Sequence, residues 1–225
     1  MKDVQPGAAA RHVLLVEDDA PIGRLVSLVL TGAQYRVTVC LSGETALMTL
    51  QEEPVDVLLL DIPVPAVADA RLGLLREVGK TPVIVMTDLD DETVLVDCLR
   101  AGAFDILLKP FVPEQLETAV GLAAGLDVNG ISDLPALTSN VLDIDFASLR
   151  AARSGVRQPL SLSEWRFLEA LARRLGQTVL YQEILRHVHG PAFRDYPRLG
   201  QAWAARLGKK ISLAEFHGLG YALVI

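Results

Sequence analysis

The stretch VDVLLLDIPVP, Val55 to Pro65, is apolar for most of its length and then sets a carboxylate, Asp61, ahead of Pro-x-Pro. A short run rich in valine and leucine reads as a strand covered on both faces. A carboxylate at the end of such a strand needs partners there, because an isolated buried charge is costly. The same arrangement recurs upstream and downstream. HVLLV (12–16), RVTVC (36–40), VDVLLL (55–60), PVIVMT (82–87) and DILL (105–108) are short, β-rich and apolar. Between and after them, 21–32, 43–52, 68–78, 91–101 and 113–124 carry helical spacing, as in Ile22, Leu25, Val26, Val29 and Leu30. Strict β–α alternation, five times over, predicts an α/β fold with a doubly wound, five-stranded parallel sheet and right-handed crossovers.

In such a sheet ligands sit beyond the carboxyl ends of the strands. Every polar residue that ends an apolar run falls at that edge: Glu17, Asp18 and Asp19 after the first strand, Asp61 after the third, Thr87 after the fourth, Lys109 and Pro110 after the fifth. Carboxylates from two adjacent strand ends make an all-oxygen pocket suited to a hard cation such as Mg²⁺. A lysine and a hydroxyl beside them are what the oxygens of a phosphoryl group on Asp61 would need. A dinucleotide site would require GxGxxG after the first strand, where VEDDAP would instead repel a pyrophosphate. An aspartyl-phosphate hydrolase would carry a second aspartate where Pro63 stands. Plain helix capping explains Asp19 ahead of Pro21 but not four coincident strand ends.

A length of 225 residues suits two domains. Hydrophobic residues make up 51% and aromatics only 5%, which favours packed helices and a parallel sheet over an aromatic-rich sandwich. No apolar run approaches the roughly 20 residues of a membrane span, and a cytoplasmic location is expected. Cys40 and Cys98 sit in apolar segments without CxxC spacing and read as buried thiols. The net charge of −7 hides an asymmetry. Residues 1–130 hold 9 basic and 20 acidic residues, for −11, and residues 131–225 hold 12 and 8, for +4. An acidic half suits a cation and a basic half a polyanion, although both could be solvated surface.

GLDVNGISDLP (125–135) reads as a linker. Beyond it, VLDIDF and VRQPLSL around Ser154-Gly155 predict a small antiparallel sheet. Ser161 and Glu164 form a capping box ahead of a helix with Trp165, Leu168, Leu171, Ala172 and Leu175 on one face. YQEILRHVHG and PRLGQAWAARLGKK supply two more helices, and the chain closes on a hairpin. This is the α+β plan of a winged helix-turn-helix.

The words LLVEDDAP, LLLDIPVP, VIVMT and LLKPF stand in the order of the response-regulator receiver domain, which residues 12–126 resemble. LEALARR, EILRHV, RLGKK and GLGY resemble the OmpR/PhoB-type effector domain over 140–223. The resemblance implies a flavodoxin-like receiver at 1–126, a linker at 127–139 and a winged-helix DNA-binding domain at 140–225. It implies that Asp61 accepts a phosphoryl group from a histidine kinase. Glu17, Asp18, Asp61 and the Pro63 carbonyl would hold Mg²⁺, and Thr87 and Lys109 would hold the phosphoryl oxygens. In the third effector helix Arg198, Gln201, Trp203, Arg206, Lys209 and Lys210 would meet double-stranded DNA, joined by His217 in the wing. Trp203 reads equally well as core.

Several positions depart from the family pattern. Asp88 follows the fourth-strand hydroxyl where a small residue is usual, Ile106 takes the place of an aromatic, and the fifth helix lacks the basic residues used in a homodimer. Gly200 and Gly208 interrupt the third effector helix, and Glu215 puts an acid in the wing. The expectation is a DNA-binding transcriptional response regulator and not an enzyme. The alternatives are a regulator that acts without phosphorylation, or a winged helix that docks on a protein such as RNA polymerase.

Overall fold

A computed structural model describes residues 10–62, 70–88, 91–128, 132–190, 196–211, 213–216 and 219–223, with the side chains of 70–72 and 213–216 outside that description. Five strands, β1 (His12–Val16), β2 (Arg36–Cys40), β3 (Val57–Asp61), β4 (Val83–Thr87) and β5 (Asp105–Leu108), form one parallel sheet in the order β2-β1-β3-β4-β5. They alternate with α1 (Ala20–Gly32), α2 (Gly43–Glu52), α3 (Ala70–Glu77), α4 (Glu92–Ala101) and α5 (Pro113–Ala123). Every residue of β1, β3 and β4 is buried, as continuous apolar runs in a doubly covered sheet require. The edge strand β2 is the exception. It is half exposed, because it has a neighbour on one side only.

Local signals set the helix starts. The Asp19 carboxylate accepts a hydrogen bond from the Ile22 amide at 3.1 Å and Pro21 lies in the first turn of α1, so the capping reading of Asp19 holds. Ser42 and Asp91 cap α2 and α4 in the same way.

The second half opens on an antiparallel sheet of β6 (Leu137–Thr138), β7 (Leu142–Asp145), β8 (Arg150–Arg153) and β9 (Val156–Arg157). Here β6 lies inside the stretch read as linker: two residues are too few for a strand signal, and their pairing with β7 decides the conformation. The turn joining β8 and β9 places both Ser154 and Gly155 at positive φ, 51° and 76°. Three helices follow, α6 (Leu162–Ala172), α7 (Tyr181–His189) and α8 (Pro197–Lys210). A three-stranded sheet combines β10 (Val179–Leu180) with the terminal hairpin β11 (Leu213–Phe216) and β12 (Gly220–Leu223). The α6 capping box is present: Ser161 Oγ accepts from the Glu164 amide at 3.3 Å, and Glu164 Oε2 accepts from the Ser161 amide at 2.8 Å. Leu175, expected on the buried face of that helix, lies beyond its end and is exposed.

The two glycines of α8 have opposite roles. A Cβ at Gly200 would stand 3.2 Å from Tyr181 Cδ1 and 3.7 Å from Leu185 Cδ1, so the missing side chain is what lets α7 and α8 approach. At Gly208 an added Cβ would meet nothing within 4 Å, and the residue is exposed. Gly208→Ala should therefore stabilise the protein by about 1 kcal/mol and raise the midpoint of thermal unfolding by a few degrees. Gly200→Ala should lower it, and circular dichroism melts of the two variants check the opposite signs.

The halves pack together. Helix α4 lies against α8, α5 against α6, and β5 against α6. Asp105, at the start of β5, accepts from the Ser163 amide of α6 at 3.2 Å, and Ser163 Oγ donates to the Ile106 carbonyl at 3.5 Å. This explains why the first two turns of α6 are buried nearly all round, Arg166 alone being half-buried, where an amphipathic stripe was expected.

Candidate functional site

Strand register builds the site. Val16 pairs with Leu60, so Glu17 follows one strand end beside Asp61 at the next. Asp61 pairs with Met86 and Thr87 with Leu108, which sets Thr87 and Lys109 at the same edge. Glu17, Asp61 and Thr87 are buried, at 1%, 5% and 0% exposure, while Asp18 is exposed. Lys109 Nζ donates to Asp61 Oδ1 at 2.7 Å and to Glu17 Oε2 at 3.0 Å. Thr87 Oγ1 donates to the Ile62 carbonyl at 2.7 Å. Glu17 Oε1 also accepts from the Asp19 amide at 3.1 Å, which holds the acidic loop against the strand end.

Ligand oxygens of Glu17, Asp18 and Asp61 all lie within 4.8 Å of one another. Three carboxylates from two strand ends suit a hard divalent cation, which takes oxygen ligands and keeps waters on its open side. Burial works to lower the Lys109 pKa, but hydrogen bonds to Asp61 and Glu17 outweigh it and hold the ammonium above its ordinary value. One fixed cation thus partly offsets the three clustered anions.

The structure brings together Glu17, Asp18, Asp61, Thr87 and Lys109 as the strand pattern predicts. Pro63 and His217 lie outside the described residues, as does the side chain of Glu215. Asp88 is exposed, so any effect it has on Asp61 acts through water, where unit charges about 4 Å apart interact by roughly 1 kcal/mol. Ile106 is 3% exposed and lies on β5, the strand that faces α6.

The residues expected to meet DNA divide into two groups. Arg198, Gln201 and Lys209 are exposed, and with Ala205 and Gly208 they form one stripe of α8. Trp203 corrects the sequence reading: it is 0% exposed and belongs to the core. Arg206 and Lys210 also differ from expectation, because internal acceptors hold them. Arg206 donates to the Ala103 carbonyl at 2.7 Å and the Phe104 carbonyl at 3.1 Å, and its guanidinium lies 5.2 Å from the Trp203 ring centroid. Lys210 donates to Glu164 Oε2 and to the Pro159 carbonyl, both at 2.6 Å.

Sequence reasoning missed Glu92, Asp105 and the second role of Glu164. The capping box pointed to Glu164, but no local pattern marks a carboxylate whose partner is 46 to 107 residues away. Asp105 is 2% exposed; burial raises its pKa, and hydrogen bonds from Ser163 and Ile106 only partly oppose this. A carboxyl with a raised folded-state pKa favours folding below the ordinary carboxylate value, and that contribution is lost as pH rises through the raised value. Wild type should therefore lose stability relative to Asp105→Asn as pH climbs from about 4 towards neutrality. Urea midpoints of both proteins across that range give the comparison.

Comparison with known proteins agrees with this geometry. The family model for the response regulator receiver domain matches residues 13–121. The transcriptional regulatory protein KdpE of Mycobacterium tuberculosis H37Rv is 30% identical over 219 residues, covering 93% of this chain and 97% of KdpE. This chain belongs to the response-regulator family, OmpR/PhoB type. AfsQ1 of Streptomyces coelicolor is 29% identical across 94% of this response regulator and 97% of its own length. The DNA-binding response regulator MtrA of Mycobacterium leprae is 29% identical across 89% of each chain. Among solved structures, the response regulator DrrB, an OmpR/PhoB homologue from Thermotoga maritima, aligns over 96% of this chain and 100% of its own, with 26% identity and a TM-score of 0.46.

Proposed function

We propose that this response regulator accepts a phosphoryl group on Asp61 from a histidine kinase and controls transcription by binding double-stranded DNA through α8. The observation that carries the reading is the Lys109 ammonium joining Asp61 to Glu17 inside a three-carboxylate cluster. Glu17 and Asp61 share the lysine, and Asp61 is the one that ends β3, between the Glu17 end of β1 and the Thr87 end of β4, so that the cation ligands and the hydroxyl lie on either side of it. Glu17, Asp18 and Asp61 are the residues to hold Mg²⁺, whose charge would neutralise oxygens on the incoming phosphoryl group. Thr87 and Lys109 flank the same strand edge as donors.

Residues 1–126 form the phosphoacceptor half. Residues 140–225 form the effector half, and the pairing of β6 with β7 supports counting Leu137 and Thr138 with it. No described helix is long and apolar enough to cross a membrane, in keeping with a cytoplasmic regulator. The α4–β5–α5 face is covered by the effector helices, so a homodimer through it requires the two halves to part first.

The test is incubation with Mg²⁺ and a small phosphodonor, read by intact mass, followed by fluorescence anisotropy on a labelled duplex at several salt concentrations. One phosphoryl group per chain and salt-dependent binding are expected. With Arg198 and Lys209 as the exposed cations of α8, the slope of log K against log salt should be shallow, roughly −2. Labelling without any duplex binding would favour a protein partner for the winged helix.

A further inference from the structure

Where α5, α6 and α7 meet, Gln115, Arg166, Glu169, His187, His189 and Gly190 line a cavity of about 360 Å³. None of the strand-edge residues Glu17, Asp18, Asp61, Thr87 and Lys109 borders it. Its volume lies at the small end of the roughly 300–1,000 Å³ of ligand pockets. An adjoining cleft of about 50 Å³ shares Gln115, Arg166 and His189 and runs along Leu108, Leu162 and Val188.

Two carboxylates near the cavity already have donors. Glu169 Oε1 accepts from Arg173 at 2.7 Å, and its Oε2 accepts from His187 at 2.9 Å. The Asp105 oxygens accept from the Ser163 and Ile106 amides at 3.2 and 2.8 Å. Arg166 interacts with both acids through space but bonds to neither. Among the described residues its guanidinium makes one hydrogen bond, from Nη1 to the Val188 carbonyl at 3.0 Å. A guanidinium has five N–H donors in a planar fork, so most of the fork remains for a ligand. Burial lowers the Arg166 pKa, and attraction from Asp105 and Glu169 offsets this only in part. A half-buried cation is thus held here with less opposite charge than it needs.

The rest of the lining suits a monoanion. Burial and the neighbouring Arg166 push His189 down to about 3, so its ring is neutral at pH 7. Gln115 accepts from the Val112 amide at 3.0 Å through its side-chain oxygen, which leaves its NH₂ group to donate. One cation flanked by neutral groups matches one carboxylate, whose two oxygens fit the guanidinium fork. A phosphate, with nearly two charges at pH 7, calls for a second cation, and His187 is spent on Glu169.

We propose that this cavity binds a small organic carboxylate, its oxygens paired with the Arg166 guanidinium and the Gln115 amide and its alkyl end in the cleft along Leu108, Leu162 and Val188. Such a ligand would touch α5, α6 and α7 at once. The site is independent of the roles proposed for Asp61 and α8.

The test is a titration of the full-length chain with sodium butyrate, followed by nitrogen-15 NMR at the Arg166 Nε–H and the Gln115 side-chain NH₂. Both signals should shift and saturate, with a midpoint of about 1–10 mM. The uncharged isostere butyramide should shift neither, and inorganic phosphate should act more weakly than butyrate at equal concentration and ionic strength. Arg166→Gln removes the charge, and Gln115→Glu keeps an oxygen for the Val112 amide while setting an anion in the cavity. Each variant should weaken butyrate binding by about tenfold or more, the loss of a hydrogen bond to a charged group. Should Arg166→Gln unfold, Gln115→Glu still decides, because it retains the cap of α5. Shifts that rise without saturating, or a midpoint unchanged in Gln115→Glu, overturn the site. Butyramide or phosphate binding as tightly as butyrate overturns the carboxylate assignment.

Discussion

Asp61→Asn protein should take up no phosphoryl group from a small phosphodonor in the presence of Mg²⁺, while wild type gains one per chain. The reaction requires an anionic carboxylate oxygen to attack phosphorus, and an amide oxygen carries too little charge to do so. The substitution is close to isosteric at a position only 5% exposed, so shape is kept. Lys109 retains its 3.0 Å bond to Glu17, which leaves the buried ammonium with a partner. Loss of labelling is then a loss of the nucleophile and not of the fold, and an unchanged circular dichroism spectrum checks this. Asp18→Asn is the informative companion. It removes one cation ligand but not the acceptor, so labelling should fall and return as Mg²⁺ is raised. Label retained in Asp61→Asn, or mapped to Asp18 or Asp19, would refute the assignment.

Trp203→Ala should be among the most destabilising single substitutions in the effector half, at about 3–5 kcal/mol. The side chain is 0% exposed in the core beneath α8, and its ring also carries the Arg206 guanidinium at 5.2 Å. Against a typical total of about 5–15 kcal/mol, a loss of that size leaves a marginal fold. Urea unfolding followed by far-ultraviolet circular dichroism measures it, and the midpoint should drop with little change in slope. A surface residue that touched bases would behave in the opposite way: truncation would leave stability within about 0.5 kcal/mol and weaken duplex binding. One pair of measurements therefore decides which role this tryptophan has.

The strand-edge cluster was legible because its signal is local. Each of Glu17, Asp61, Thr87 and Lys109 interrupts or ends an apolar run, and β–α alternation carries all four runs into one parallel sheet. Side-chain period and burial then set register, since a strand covered on both faces cannot place a carboxylate in its middle. Two helix starts were legible for the same reason: Asp19 and Ser161 act on amides three residues away. Strand β6 was not, because two residues have no periodicity and only the ladder with β7 defines them.

The division within α8 shows where sequence stops deciding. Its spacing permits both a buried and an exposed reading for Trp203, and a basic residue at 206 or 210 looks like a polyanion contact in either case. By itself the sequence determined two folds, the edge at which the acidic site forms and the helix that carries the basic stripe. Those follow from interactions spanning a few residues or a repeated pattern. Only the tertiary structure decided that Arg206 binds the Ala103 and Phe104 carbonyls, that Glu92 closes the start of α8, and that Asp105 holds the start of α6. The physical reason is separation: these partners lie about 60 to 100 residues apart, and a hydrogen bond across that distance leaves no mark in the pattern of either segment until both surfaces are folded and packed.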